Sequence, residues 1–162
     1  MNQSLEDGQS LETGSSAPDF ELPTDGGGRI SLSGLKGKKV VLYFYPKDDT
    51  SGCTAEAIAF NGLRDKFEAA GAFLLGVSPD SVKSHEKFKK KYELQFSLGA
   101  DETKSMLEAY GVWREKSMYG RKYTGVERTT FLIGADGRIA RVWRKVKVPG
   151  HAEEVLAAAR AI

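Results

Sequence analysis

The side chain in this sequence best suited to covalent chemistry is Cys53, and it is the only cysteine. A lone thiol excludes an internal disulfide, a Cys-rich zinc site and a Cys-x-x-Cys redox pair, which leaves one-thiol chemistry. Cys53 comes after the apolar run 40–45, Pro46 and a polar loop over 47–52, and it opens a segment with helical spacing. First-turn backbone N–H groups lack intrahelical partners and carry about half a positive charge, so they stabilise a thiolate, the nucleophilic form, over a thiol. A helix end alone rarely suffices, and a second cation is wanted. If residues 129–133 form a strand antiparallel to 40–45, Arg128 falls at the same sheet edge as Cys53. A guanidinium there favours the thiolate, donates hydrogen bonds to an oxygen of an attacked substrate and stays charged at any working pH. The competing reading of Arg128 is a surface charge at a strand start.

Helical projection places Phe60, Leu63, Phe67 and Ala70 on one stripe, with Cys53 and Glu56 close to it. An inward carboxylate needs a partner, so Glu56 is a candidate for holding an arginine in place; the alternative is a first-turn glutamate facing solvent. Thr50 stands three residues before Cys53, where its hydroxyl can cap the helix or bond the thiolate or its substrate. Pro46 ends the strand, and its ring beside a thiolate also screens it from water. Asp48 and Asp49 read as outward loop residues, since a carboxylate close to Cys53 opposes the thiolate, and no histidine makes them a metal pair. His85, among helical lysines, and His151, at a helix start, lack ligand clusters and read as surface residues. No metal ligand set and no cofactor are expected. Cys53 itself has a bland reading, a small buried hydrophobe.

The elements that must hold these residues follow from the hydrophobic pattern. A chain of 162 residues is enough for one domain. Residues 1–16, polar and Gly/Ser-rich, are expected to form a flexible tail, and 17–162 a single domain. Residues 20–22 and 29–32 around Gly26-Gly27-Gly28 predict a short hairpin, and no Gly-Lys-Ser/Thr follows to make a phosphate loop. The run 40–45 lacks polar alternation, which suits a strand buried on both faces. A helix over 53–70, a strand over 72–77 and helices over 81–92 and 103–110 follow. Residues 129–133 and 139–148 around Asp136-Gly137 predict a β-hairpin, and 152–161 a closing helix. Strands joined through helices run parallel, and the hairpin extends the same sheet. The expected fold is α/β, a thioredoxin-like central mixed sheet flanked by helices, with a short N-terminal β-hairpin.

Composition narrows the partners. Lys plus Arg number 24 against 22 Asp plus Glu, a net charge of +2 that gives no basic field for nucleic acid. The lysines at 87 and 89–91 read as a solvated helix face. The longest apolar run, six residues, is far short of the ~20 that a membrane helix needs, and no secretory signal opens the chain, so a cytoplasmic location is expected.

The stretch Tyr43-Phe44-Tyr45-Pro46-Lys47-Asp48-Asp49-Thr50-Ser51-Gly52-Cys53-Thr54-Ala55-Glu56 resembles the active-site segment of peroxiredoxins, with their Pro-x-x-x-Thr-x-x-Cys signature. The resemblance is greatest to the bacterioferritin comigratory protein, or peroxiredoxin Q, group. It runs from Ala17-Pro18-Asp19-Phe20 through Tyr119–Tyr123 and residues 128–133 to His151. It implies a thioredoxin-like fold in which Cys53 attacks the O–O bond of a peroxide, Thr50 and Arg128 align and polarise that bond, and Pro46 shields the cysteine. Glu56 matches an acidic residue often found three after the cysteine. Ile58 stands where many members carry a resolving cysteine, and Ser51 replaces a frequent proline. The implied activity is a thiol-dependent peroxidase reducing hydrogen peroxide and organic hydroperoxides through a Cys53 sulfenic acid. Its regenerant is an external thiol, glutathione/glutaredoxin or thioredoxin, and its state a monomer or weak homodimer. The alternative is a non-catalytic redox sensor or holdase whose partner binding depends on the oxidation state of Cys53.

Overall fold

A computed structural model describes residues 11–162. The chain opens with an antiparallel hairpin, β1 (Glu21–Pro23) and β2 (Arg29–Ser31), whose glycine turn contains Gly26 and Gly27 at positive φ, where a side chain would be strained. β3 (Lys39–Phe44), α1 (Ser51–Gly62), α2 (Arg64–Ala69), β4 (Ala72–Ser78), α3 (Val82–Tyr92), β5 (Ser97–Ala100) and α4 (Ser105–Ala109) follow. Then come β6 (Trp113–Met118), β7 (Arg121–Val126), β8 (Thr129–Ile133), β9 (Ile139–Arg144) and α5 (His151–Arg160).

Five strands form the central sheet in the order β5-β4-β3-β8-β9. The β3–β4 and β4–β5 pairs are parallel, and β3–β8 and β8–β9 antiparallel, so the sheet is mixed. Alternate residues of β3 feed two apolar layers. Val41, Tyr43 and Tyr45 pack with Phe60, Phe67, Phe88 and Val155, on the side of α1, α3 and α5. Val40, Leu42 and Phe44 pack with Met106, Leu107, Tyr110 and Phe131 on the other. Burial on both faces is why this strand carries no polar alternation.

Several elements depart from the sequence-based expectations. The single helix over 53–70 is two, because Leu63 adopts φ −107°, ψ 7°, after Asn61 and Gly62, both poor helix formers. β5 has no counterpart among the expected elements; it is short and carries Gly99, into whose missing side chain Leu22 packs, with an ideal Cβ 2.9 Å from Leu22 Cδ1. The charged hairpin β6–β7 is likewise additional, and β9 ends at Arg144 rather than at 148. Of the expected tail over 1–16, residues 1–10 lie outside the described residues, whereas 11–16 are docked. Leu11 is buried, Gly14 N–H donates to the Ile139 carbonyl at 2.8 Å, and Ser16 bridges Arg138. Apolar burial of Leu11 and pairing against the β8–β9 turn outweigh the local Gly/Ser content. Among the described residues no helix is long and apolar enough to cross a membrane.

Candidate active site

The carboxyl end of β3 delivers the chain into the site. Tyr45 still donates to the Val77 carbonyl at 3.0 Å, and then Pro46, which has no N–H to give the ladder, turns the chain out of the sheet. Asp49 takes a left-handed conformation, φ 61°, and Thr50 an extended one before α1 begins at Ser51. Thr50 is the N-cap by position, and its carbonyl accepts the first helical bond from Thr54 N–H at 2.8 Å. Of the roles open to its side chain, capping the helix is not taken. The hydroxyl turns back to donate to the Lys47 carbonyl at 2.9 Å, closing the loop on itself.

Cys53 is the third residue of α1 and only 1% exposed. Across the sheet edge, Phe44 pairs with Thr129, so the residue before β8 stands beside the end of β3. That residue is Arg128. Its Nη2 donates to Cys53 Sγ at 3.4 Å and its Nη1 to Glu56 Oε1 at 2.7 Å, so one guanidinium spans thiol and carboxylate. Cys53 and Glu56 lie three apart on one face of α1, the spacing at which a single side chain can reach both. Glu56 therefore faces inward, and its solvent-facing alternative is overturned; so is the surface-charge reading of Arg128, whose side chain is 18% exposed.

The charges are strongly constrained. Burial pushes the Glu56 carboxyl up from 4.5 to about 7, against the pull of Arg128. Its Oε2 is buried without a hydrogen-bond partner among the described residues. Burial disfavours the charge on Arg128, but Glu56 and Cys53 outweigh it and hold the guanidinium above its ordinary range. Beneath α1, Tyr43 stacks on Phe60 with ring centroids 4.7 Å apart. Burial first, then Glu56 and Cys53, hold its hydroxyl well above the usual phenol range, so it stays neutral.

One functional neighbour is absent from the sequence-based set. An ideal Cβ on Gly52 would lie 3.1 Å from Arg128 Nη2, so the absence of a side chain there lets the guanidinium lie across the first turn. A glycine inside a helix start, next to the only thiol, is the signal that could have found it. Pro46 is half-buried at the end of β3, and Ile58 is 50% exposed on the outer face of α1.

Three residues expected at the surface are buried. His151 Nε2 shares a 2.8 Å hydrogen bond with Thr130 Oγ1, and burial lowers its imidazole below 6.5. Asp48 turns inward to His85, which is itself buried, while Asp49 stays outside and pairs with Lys91 and Tyr92. Asp48, Asp80 and His85 bring ligand-type atoms within 4.8 Å of one another. Those atoms are committed to internal hydrogen bonds from Tyr45, Ser84, Ser78 and the Asp48 N–H. Two surface depressions sit away from Cys53, one lined by Lys38, Arg64 and Phe96 and the other by Leu32, Val40 and Ile133.

Comparison with known proteins gives the family. The AhpC/TSA family pattern matches residues 13–142. A putative peroxiredoxin bcp of Coxiella burnetii is 54% identical over 147 residues, 91% of this chain and 97% of that protein. The crystal structure of a cysteine-to-serine mutant of PrxQ from Xylella fastidiosa superposes with a TM-score of 0.90 at 43% identity, covering 94% of this chain and 98% of that one. A Xanthomonas campestris bacterioferritin comigratory protein, studied for alkyl peroxide reduction in trapped intermediate and ligand complexes, gives 0.84 at 46% identity, with 88% and 90% covered. With its cysteine at a helix start beneath an arginine, its thioredoxin-like sheet and relatives this close, the chain belongs to the AhpC/TSA family as a peroxiredoxin of the Bcp/PrxQ kind, a thiol-dependent peroxidase.

Proposed function

We propose that Cys53 is the peroxidatic nucleophile and Arg128 the group that polarises the peroxide, the observation carrying this being the Arg128 Nη2–Cys53 Sγ contact of 3.4 Å. The thiolate attacks the terminal oxygen of ROOH, an S–O bond forms as the O–O bond breaks, and RO⁻ leaves. Sulfur loses two electrons and the peroxide gains them. The proton released when Cys53 ionises balances the alkoxide, giving ROH and a sulfenic acid. A guanidinium fork beside the sulfur supports charge developing on the departing oxygen, while Glu56 holds its other arm. In this reading Thr50, at the lip of the helix, aligns the peroxide and Pro46 excludes water. Hydrogen peroxide and organic hydroperoxides both fit, the latter supported by the alkyl peroxide reduction of the Xanthomonas relative.

With one sulfur nucleophile per chain, the sulfenic acid condenses with an outside thiol, releasing water and forming a mixed disulfide. A second thiol then displaces Cys53 as a thiol. Glutathione/glutaredoxin or thioredoxin supplies these thiols, in the cytoplasm, to a monomer or weak homodimer.

The test compares two reactions of Cys53. Stopped-flow oxidation by hydrogen peroxide and cumene hydroperoxide is set against alkylation by neutral iodoacetamide, in the parent and in Arg128→Ala. Removing an oxyanion-type donor costs about 2.7–4 kcal/mol, so peroxide oxidation falls about 10²–10³-fold and alkylation falls far less. Arg128→Lys, which keeps the charge but not the fork, falls in between. Equal slowing of both reactions would remove Arg128 from the peroxide step, and a parent rate no faster than that of a free thiol would overturn the assignment of Cys53.

A further inference from the structure

The loop that carries Pro46 and Thr50 is tied down by a polar cluster with no direct contact to Cys53. His85, on α3, is wholly buried, and both of its ring nitrogens meet oxygen. Nε2 lies 2.9 Å from the Gly99 carbonyl of β5, a group that can only accept, so Nε2 carries a proton. Nδ1 lies 2.8 Å from Asp48 Oδ2. A neutral imidazole has a single N–H, so with Nε2 protonated its Nδ1 would point a lone pair at a carboxylate oxygen. The opposite tautomer would point a lone pair at Gly99 instead. Neither fits two contacts this short, and the His85–Asp48 pair must therefore hold one more proton than a neutral imidazole and a carboxylate together.

The surroundings place that proton on the ring. Asp48 Oδ1 accepts from the Tyr45 hydroxyl at 2.6 Å, and Oδ2 also accepts from the Ser84 hydroxyl at 2.7 Å. Burial, Tyr43 and Asp48 keep the Tyr45 hydroxyl well above the usual phenol range, so it remains a donor. Two hydroxyl donors directed at one carboxylate stabilise its anion. The other acid nearby, Asp80, is occupied by the Asp48 N–H at 2.8 Å and the Ser78 hydroxyl at 2.7 Å.

We propose that His85 is a positioning residue, held as an imidazolium between Asp48 and Gly99, and that this buried pair fixes the loop 46–50 over the active site. The pair joins three parts of the fold: the exit from β3 through Tyr45 and Asp48, the first turns of α3 through Ser84 and His85, and β5 through Gly99. Asp48 lies two residues after Pro46 and two before Thr50, so its anchor sets where both stand relative to Cys53. A buried carboxylate without its counter-charge would have to protonate or be rehydrated, and either breaks the anchor.

The role in positioning rests on the reading of Pro46 and Thr50 given above, whereas the protonation state does not, and the experiment separates them. Long-range ¹H–¹⁵N correlation spectra of the reduced, full-length protein at pH 7 are expected to show both His85 nitrogens protonated. In Asp48→Asn the side-chain amide can donate to Nδ1 and still accept from Tyr45. There His85 is expected to turn neutral, with its proton on Nε2 and Nδ1 in the acceptor range. A neutral His85 in the parent overturns the proposal, whatever the kinetics.

The kinetic arm compares Asp48→Ala with Asp48→Asn. Misplacement of a catalytic loop by ~1 Å is worth about 10²-fold, so Asp48→Ala should lose about that much in peroxide oxidation without slowing iodoacetamide alkylation of Cys53. Asp48→Asn should recover most of the loss. Should Asp48→Ala fail to fold by near-ultraviolet circular dichroism, Ser84→Ala, which removes one donor to the same carboxylate, takes its place with a smaller loss expected. A folded variant with an unchanged peroxide rate, or with both reactions slowed alike, overturns the positioning role. If the parent itself reacts no faster than a free thiol, the assignment of Cys53 fails while the spectra still decide the protonation of His85.

Discussion

Replacing Glu56 by glutamine tests the electrostatics of the site through stability rather than rate. The carboxyl titrates near 7 in the fold, against 4.5 when free, because burial outweighs the attraction of Arg128. Below pH 4.5 Glu56 is protonated in both states and favours neither. As pH rises from 4.5 towards 7 the unfolded chain ionises first, so the unfolded state binds fewer protons and folding stability falls. Above 7 both states are ionised and the loss is complete. At about 1.36 kcal/mol per pH unit over that window, the full cost is about 3 kcal/mol, of which about 2.5 falls between pH 5 and pH 8. A glutamine cannot ionise, so Glu56→Gln lacks this component while every other titrating group is shared. Denaturant unfolding of the reduced parent and variant at pH 5 and pH 8 should thus show their stability difference moving by about 2.5 kcal/mol in favour of the variant at the higher pH. The charge-assisted part of the Arg128 bond is already contained in the value near 7, and any pH-independent difference in bonding cancels. A difference that does not move with pH would mean that Arg128 keeps Glu56 ionised throughout, and that burial does not win at this position.

Three further outcomes follow from contact distances. Gly52→Ala puts a Cβ 3.1 Å from Arg128 Nη2, so the guanidinium must shift by a few tenths of an ångström. Peroxide oxidation should fall about tenfold, equivalent to ~1.4 kcal/mol, with the denaturant midpoint unchanged or raised. Gly76→Ala drives a Cβ to 2.9 Å from the buried ring of Tyr43, which cannot retreat because it stacks on Phe60. It should cost about 1–3 kcal/mol of overpacking, read as a lowered denaturant midpoint. Ile58→Cys replaces a half-exposed side chain and opens no core cavity. On an intact helix its Cα stands ~8.7 Å from that of Cys53, beyond the ~7 Å limit for a disulfide. Peroxide should therefore yield an internal disulfide only if the start of α1 unwinds, seen by intact mass as loss of both thiols without added oxygen. Sulfinic acid accumulating as in the parent would show that this turn stays closed.

The sheet and the Cys53–Arg128 contact are legible in the sequence because each depends on patterns that survive in one dimension. The runs at 40–45 and 72–77 are apolar because both faces of β3 and β4 are covered, and the hairpin signal at Asp136-Gly137 sets the direction of β8 and so the position of Arg128. Glu56 reads two ways, since a first-turn glutamate is equally well explained by the helix dipole; only the arrival of Arg128 from 72 residues away decides it. The His85 cluster reads as surface because lysines surround it in sequence. The helical stripe His85, Phe88, Tyr92 carries the contrary signal, with His85 and Phe88 buried and Lys83, Lys87, Lys90 and Lys91 exposed. Asp48 points outward if only its effect on Cys53 is weighed, a rule that considers one charge when the fold supplies an imidazole and two hydroxyls. β5 leaves no pattern, since four residues that include a glycine cannot show a period.

Burial of the thiol also bears on how the cycle closes. Reduction requires a second sulfur to approach Cys53 Sγ to about 2.05 Å along the S–S axis, and in the folded site that sulfur is 1% exposed beneath Arg128. A small thiol enters along whatever path admits an alkyl peroxide, so its attack leaves α1 in place. A thiol on a protein surface brings its own backbone with it, and its approach to Sγ would require the start of α1, residues 51–56, to swing out. Motion of that whole segment breaks the Arg128–Cys53 and Arg128–Glu56 bonds together, because it carries both residues. Because burial outweighs the attraction of Arg128 at Glu56, an ionised Glu56 favours this opening, which rehydrates it, and a protonated Glu56 does not. Since this carboxyl titrates near 7, opening of the site to a protein thiol should become easier as pH rises through that value.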